Sequence, residues 1–150
     1  MMSTMSIPAD SIKPKSFTRF FPAIARIILG LPLFASGLFG LLNLTPQPAT
    51  PLPAGAMAFV EALTNSGYML QLIFITQLIV GALLLVNRFV PLALILFAPF
   101  IVNAMAFHTF LLHEGLPIAA VFLLLELYLA WQYRESYAGV LRARAVPSSH

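Results

Sequence analysis

The segment VPLALILFAPFIVNAMAFHTFLLHEGLP, residues 90–117, begins with an almost purely apolar run that decides the fold class. A helix that crosses a bilayer needs about 20 predominantly apolar residues, and this run is long enough. An asparagine and a histidine follow, and the segment ends in His-Glu-Gly-Leu-Pro. The segment therefore predicts a spanning helix. It also raises the question whether its polar residues form a site or only mark the return of the chain to water.

The composition of the whole chain supports a membrane protein. Of the 150 residues, 60% are hydrophobic and 9% are charged, and the mean hydropathy is +0.93. A soluble domain of this size has too few polar residues to cover so much apolar surface. Four segments are long enough to span: 20–43, 67–86, 89–112 and 116–134. We expect one integral membrane domain over residues 19–137, with flexible cytoplasmic tails at 1–18 and 138–150.

The positions of the basic residues predict the orientation of the chain. All of them can be placed on one side of the membrane: Lys13, Lys15, Arg19, Arg26, Arg88, Arg134, Arg142 and Arg144. The opposite connections, 44–66 and 113–115, contain no lysine or arginine. Because basic residues accumulate on the cytoplasmic side, both termini are predicted to be cytoplasmic. The pI near 9.7 then reflects topology, and we expect no nucleic-acid partner.

The connections predict how the helices are arranged. Apolar residues at helical spacing in AMAFVEALTNSGY (56–68) indicate a short helix at the outer interface. The turns at 87–88 and 113–115 are short, and Pro91 and Pro117 suit the first turn of the helices that follow. Short turns make consecutive helices antiparallel. The predicted fold is all-α: an integral membrane four-helix up-down bundle with a short interfacial helix in the first external loop.

Three polar side chains are expected near the middle of the membrane. Counted from the outer end of its own helix, each of Gln77, Asn103 and Glu126 lies nine residues deep, or ~13–14 Å. A carboxyl group at that depth is costly, so Glu126 should face the helices or a wet cavity. Two interpretations stay open. The three side chains form interhelical hydrogen bonds, or they line a binding cavity or proton relay centred on Glu126.

Further candidates lie nearer the ends of the helices. His108 is expected close to the outer end, level with Gln71 and near Asn43, as a rim residue at the mouth of a cavity. Arg26 is a candidate partner for Glu126, although its side chain could equally extend to the inner headgroups. Arg26, Asn43 and Gln71 are the weaker candidates of the set.

Several kinds of chemistry are disfavoured by the residue types. Without cysteine, the chain has no disulfide, no thiolate metal site and no thiol redox pair. His108 and His113 are five residues apart, a poor spacing for metal ligands on one helix, and no third ligand is evident. Haem between helices usually needs histidines on separate helices. We therefore predict no metal site. On the first helix, Gly30 and Gly37 align and predict close approach of a neighbouring helix.

The segments ARIILGLPLFASGLFGLL (25–42), GALLLVNRFVPLALILFAPFIVNAMAFHTFL (81–111) and LLLELYLAW (123–131) resemble the DoxX-like family of small bacterial membrane proteins. The resemblance covers about residues 20–137. It implies a four-helix protein of the bacterial inner membrane, and some relatives are associated with quinone-linked oxidation. Many members carry a lysine shortly after the Ser-Gly pair, where this chain has Gly40. A role that depends on that lysine does not carry over.

Three functions fit these observations. The first is a quinone- or lipophile-binding subunit that supports a membrane or peripheral oxidoreductase, with Gln77, Asn103, His108 and Glu126 as ligand-binding or proton-relay residues. The second is a proton-coupled transporter of small molecules, with Glu126 as the exchangeable site. The third is a membrane scaffold without its own ligand, in which the same polar residues hold the helices together. An oligomer is compatible with all three. The resemblance favours the first, with quinone as the implied cofactor.

Overall fold

The computed structural model describes residues 20–44 and 50–138, and within these ranges every regular element is helical. The all-α prediction is confirmed. Five α-helices follow one another along the chain: α1 (Phe20–Leu41), α2 (Ala54–Asn65), α3 (Met69–Leu85), α4 (Val90–Phe110) and α5 (Leu116–Gln132). Two short 3₁₀ helices, His113–Gly115 and Arg134–Tyr137, lie before and after α5. The predicted tails lie outside the described residues, apart from Ala138 at the start of the second.

Three helical stretches are long and apolar enough to cross a membrane: Phe20–Leu41, Val90–Phe110 and His113–Gln132. Helix α3 has 17 residues and reaches this length only together with α2, from which it is bent by 90°. The short helix predicted within residues 56–68 is present as α2. The outward faces of the long helices are strongly apolar, since Val102, Ile118 and Leu124 are each 65% or 66% exposed.

The ends of the helices follow from local residue preferences. Prolines occupy the first turns of α4 and α5, where a missing N–H does no harm. Asn43 follows α1 with a positive φ of 56°, a conformation that asparagine tolerates better than most residues. Asn87 and Phe89 have φ of 55° and 53° in the turn between α3 and α4. This left-handed geometry lets the chain reverse within a few residues.

Helices α1 and α3 make the most extensive contact in the molecule. Their backbones approach so closely that there is no room for a side chain at the crossing. A Cβ added to Gly37 would lie 2.5 Å from the Leu78 nitrogen and 2.6 Å from the Phe74 carbonyl oxygen. One added to Gly81 would lie 2.7 Å from the Phe34 Cα atom. The predicted close approach at Gly37 is confirmed, and α3 is the helix that approaches.

The remaining contacts complete a ring in which α1 packs on α3, α3 on α4, α4 on α5 and α5 on α1. The interior is filled by apolar side chains from all four helices, among them Leu29, Leu33, Val80, Leu84, Phe97, Ile101 and Leu129. A hydrogen bond from Arg26 in α1 to Tyr133 after α5 joins the two ends of the described chain. Two polar side chains, Gln77 and Glu126, are buried in the described part of this core.

Candidate functional site

Glu126 is the most deeply buried carboxyl group in the described part of the chain. It lies in the middle of α5 with 6% of its surface exposed. Its Oε2 atom is fully enclosed and has no hydrogen-bond partner among the residues that the structure describes. A buried polar atom without a partner costs about 1–3 kcal/mol, and more if it is charged. Burying this carboxyl group is therefore costly, which marks Glu126 as a candidate for a functional role.

A groove of about 280 Å³ between α4 and α5 contains this carboxyl group. Its walls are almost entirely apolar, and Tyr137 supplies the other polar side chain. The groove is lined by Leu94, Ile95, Ala98, Ile101, Val102, Leu123, Glu126, Leu127, Ala130 and Tyr137. The small side chains of Ala98 and Ala130 leave space between the helices. Val102 and Leu127 are exposed at its edge, so the groove opens toward the apolar outer surface of the molecule.

Tyr137 connects this groove to the adjacent end of the helices. Its hydroxyl group donates a hydrogen bond of 3.3 Å to the carbonyl oxygen of Pro91 at the start of α4. Burial raises the pKa of Tyr137, and the negative charge of Glu126 raises it further. The groove thus combines a carboxyl group and a phenol, both of which can exchange hydrogen bonds with a polar group on an apolar molecule.

Arg26 reaches a different partner from the one considered in the sequence. Its Nη1 atom donates a hydrogen bond of 2.7 Å to the hydroxyl oxygen of Tyr133. Tyr133 lies seven residues after Glu126, on the same side of the helix but two turns further along. The Nε atom of Arg26 is buried and has no partner within the described ranges. Arg26 therefore anchors the ends of α1 and α5 to each other.

Gln77 lies in a second cavity, of about 220 Å³, lined by residues of α1, α3, α4 and α5. Its Oε1 atom accepts a hydrogen bond of 3.0 Å from the hydroxyl group of Ser36 in α1. His108 lines the same cavity, so the structure brings Gln77 and His108 together. Ser36 was not among the site residues predicted from the sequence. The sequence feature that could have identified Ser36 is its hydroxyl group, which is isolated in an apolar helix and directly precedes the glycine that contacts α3.

His108 is fixed by its surroundings at the end of α4. Its Nδ1 atom lies 3.0 Å from the carbonyl oxygen of Leu112. Because a carbonyl oxygen can only accept, Nδ1 carries the hydrogen, and Nε2 of the neutral ring is an acceptor. The ring packs directly against Gly115, where a Cβ atom would collide with it. The His-Glu-Gly turn thus closes over His108 through its glycine.

Asn103 and the weaker candidates lie elsewhere. Asn103 is exposed, on the side of α4 that faces α2, where it lines a depression of about 230 Å³ with Phe59 and His108. Gln71 and Asn43 are exposed near the same end of the molecule. The described residues contain no group of three histidine or acidic side chains that could hold a metal ion. The four main candidates are therefore divided among three surroundings, with His108 shared by two of them.

The comparisons with known proteins add no assignment to this geometry. No family model matches the chain, and neither a curated protein nor a solved structure was found to be significantly similar to it.

Proposed function

We propose that this chain is an integral membrane protein that crosses the bilayer four times as an up-down helix bundle, with α2 along the outer interface. Three long apolar helices with apolar outward faces support insertion, and the 90° bend between α2 and α3 fits a helix that turns from the interface into the membrane. Arg26, Arg88 and Arg134 all belong to the end where α1 begins and α5 finishes. This end is cytoplasmic in our proposal.

We further propose that the groove between α4 and α5 binds a lipophilic molecule with a hydroxyl group or similar donor. The carboxyl group of Glu126, which lines an apolar groove and has no hydrogen bond to any described residue, carries this proposal. A cavity of about 150 Å³ lined by apolar side chains can hold a benzene molecule. The groove, at about 280 Å³, has room for one substituted ring, and the exposed edge leaves space for an attached chain.

A quinol is the ligand class that best joins this site to the resemblance noted in the sequence. Its ring would fill the apolar groove, its hydroxyl group would donate to Glu126, and its chain would extend into lipid. When bound, the quinone–quinol couple would supply the redox chemistry, and the residues of this chain would supply binding, orientation and a carboxyl group that can take or give a proton. The protein is then a DoxX-like inner-membrane subunit that serves an oxidoreductase partner.

The test is to purify the protein in a mild detergent and identify co-purified lipophiles by mass spectrometry and absorption. We expect a stoichiometric quinol, or the quinone formed from it by oxidation in air during purification, with the wild type. Replacing Glu126 by Leu removes a hydrogen bond to a carboxyl group, worth about 1.5–3 kcal/mol, so the affinity should fall by roughly 10- to 150-fold and the co-purified amount should fall with it. Glu61→Leu is the matched control, because it makes the same change at an exposed position of α2 that does not line the groove.

Thermal unfolding separates loss of ligand from loss of fold. Glu126→Leu removes a buried polar group without a partner, so the variant should stay folded. Equal occupancy in the wild type and in Glu126→Leu would contradict the proposal. An empty wild-type protein would contradict it as well, and would return attention to proton-coupled transport or to a scaffold.

A further inference from the structure

The cavity around Gln77 has hydrogen-bond donors that nothing in the described part of the chain uses. Gln77 is 8% exposed, so more than nine-tenths of the residue is buried, and its side-chain oxygen accepts a hydrogen bond from Ser36. The amide nitrogen of Gln77 carries two hydrogens, and none of the described residues accepts a hydrogen bond from it. In an apolar medium, such a donor is strongly disfavoured unless a water molecule or a ligand accepts from it.

The rest of the cavity is apolar. Leu33, Phe100, Ile101 and Phe122 form most of its walls. The other polar side chains of the lining are Ser36, which is hydrogen-bonded to Gln77, and His108, which is hydrogen-bonded to a backbone carbonyl oxygen. A molecule that fills this space must therefore be mainly apolar and must present an acceptor to the Gln77 amide.

The opening of the cavity points to the source of that molecule. Pro32, Ser36 and Ile118 line the cavity and are also exposed at the surface of the molecule. They belong to α1 and α5, so the cavity opens sideways between these two helices. The surface around this opening is apolar, since Leu31 and Val121 are 55% and 49% exposed. Such an opening favours entry of a lipophilic molecule over entry of water.

We propose that this cavity is a second binding site, specific for a lipophilic molecule that carries a carbonyl oxygen, with the Gln77 amide as hydrogen-bond donor. The site is independent of the groove at Glu126 and selects the opposite hydrogen-bonding character. The groove requires a donor from its ligand, whereas the Gln77 cavity requires an acceptor. At about 220 Å³ the cavity has room for one aromatic ring and its carbonyl group.

Photolabelling with benzophenone tests the proposal directly, because this aromatic ketone inserts into nearby C–H bonds on irradiation. One ring can occupy the cavity while the other lies in the opening. The full chain is reconstituted in phosphatidylcholine nanodiscs, labelled and mapped by peptide mass spectrometry. We expect the label to concentrate on residues of the cavity wall such as Phe100, Ala104 and Phe122. Acetophenone should compete, and ethylbenzene, which has nearly the same shape without the carbonyl group, should not.

The matched pair of variants is Gln77→Met and Gln71→Met. Both replace a glutamine of α3 by an unbranched side chain without a donor, but Gln71 is exposed and outside the cavity. Loss of one hydrogen bond to a neutral ligand should lower labelling of the cavity by about tenfold in Gln77→Met. Gln71→Met should label like the wild type. If Gln77→Met does not fold, the comparison of acetophenone with ethylbenzene in the wild type decides the question.

Two results would overturn the proposal. The first is label spread over the lipid-facing surface with equal competition by acetophenone and ethylbenzene, which is expected if the cavity holds only water. The second is label concentrated in the groove at Glu126 and unaffected by Gln77→Met. The proposal for the groove has a separate readout, because Glu126→Leu should leave labelling of the Gln77 cavity unchanged.

Discussion

Replacing Gly37 by alanine is the perturbation that tests the contact between α1 and α3 most directly. The new Cβ atom would lie 2.5 Å from the Leu78 nitrogen and 2.6 Å from the Phe74 carbonyl oxygen. These distances are roughly 1 Å short of the ~3.5 Å at which non-bonded atoms make their best contact. Both neighbours are backbone atoms and cannot rotate away. The two helices must therefore separate, or one must shift along the other.

The expected cost follows from the size of that displacement. Forcing one extra carbon atom into a well-packed core costs about 1–3 kcal/mol. A gap of 0.5–1 Å along the rest of the contact also removes roughly a quarter to a half of the dispersion energy of each atom pair there. Alanine is favoured over glycine within a helix by about 1 kcal/mol, which offsets part of the loss. The net effect of Gly37→Ala should be a destabilisation of about 1–2 kcal/mol.

Gly55→Ala is the matched control, because it makes the same chemical change in α2. There the nearest atom to the added Cβ is Leu111 Cδ2 at 3.1 Å, the tip of a flexible side chain. Gly55 lies in the first turn of α2, so its propensity gain is no larger than that of Gly37, and the difference between the two unfolding free energies is a lower limit for the cost of the collision. We expect a difference of about 1–3 kcal/mol in reversible denaturation in mixed micelles. If Gly37→Ala is as stable as Gly55→Ala, the close approach of α1 and α3 is refuted.

Two further predictions concern Tyr133 and Tyr137, which follow the C-terminal end of α5. Tyr133→Phe removes the acceptor of the Arg26 hydrogen bond and should lower the free energy of unfolding by about 1.5–3 kcal/mol. Tyr128→Phe is the control, because no hydrogen bond to Tyr128 is seen among the described residues, and it should lower the free energy of unfolding by less than half as much in the same assay. The pKa of Tyr137 should lie above the usual value of about 10, chiefly because the side chain is buried. The contribution of Tyr137 to stability is therefore fully present below about pH 10, and it is lost as the pH rises through the raised pKa. Absorbance titration checks this against Tyr137→Phe, and Glu126→Gln should lower the raised pKa part of the way. The reasoning would be contradicted if the wild-type curve differed from the Tyr137→Phe curve only by one tyrosine that titrates at the usual pKa of about 10.

The positions of the helices could be predicted from the sequence because they depend on local properties. Apolar segment length, the prolines after short turns and the helical spacing in 56–68 each anticipate an element that is present. The glycine contact could also be anticipated, since Gly30 and Gly37 lie one above the other on α1. The helix that fills the space beside Gly37 could not, because several helices could approach it and nothing in α1 selects α3.

The rotation of each helix about its own axis, which decides the side chains that point inward, could not be predicted from the sequence. Counting residues gives the depth of Gln77, Asn103 and Glu126, but it does not give the direction in which each side chain points. In a soluble helix, a polar face shows which side is outward. Helix α4 has large apolar residues on every side, so the sequence does not show that Val102 is exposed and Ile101 is buried. The sequence pattern therefore does not show that Asn103 lies outside the cavity that contains Gln77.

The length of α3 has a consequence for the lipids around it. Its 17 residues span about 26 Å, whereas the hydrocarbon core of a typical bilayer is about 30 Å thick. Helix α2 cannot extend it, because the chain bends by 90° between them. In a membrane, the bilayer beside α3 would have to thin by about 4 Å, or the headgroups would have to bend inward there. The protein should therefore insert more favourably into bilayers of shorter acyl chains, and in thicker ones the thinned lipid beside α3 should draw neighbouring copies together.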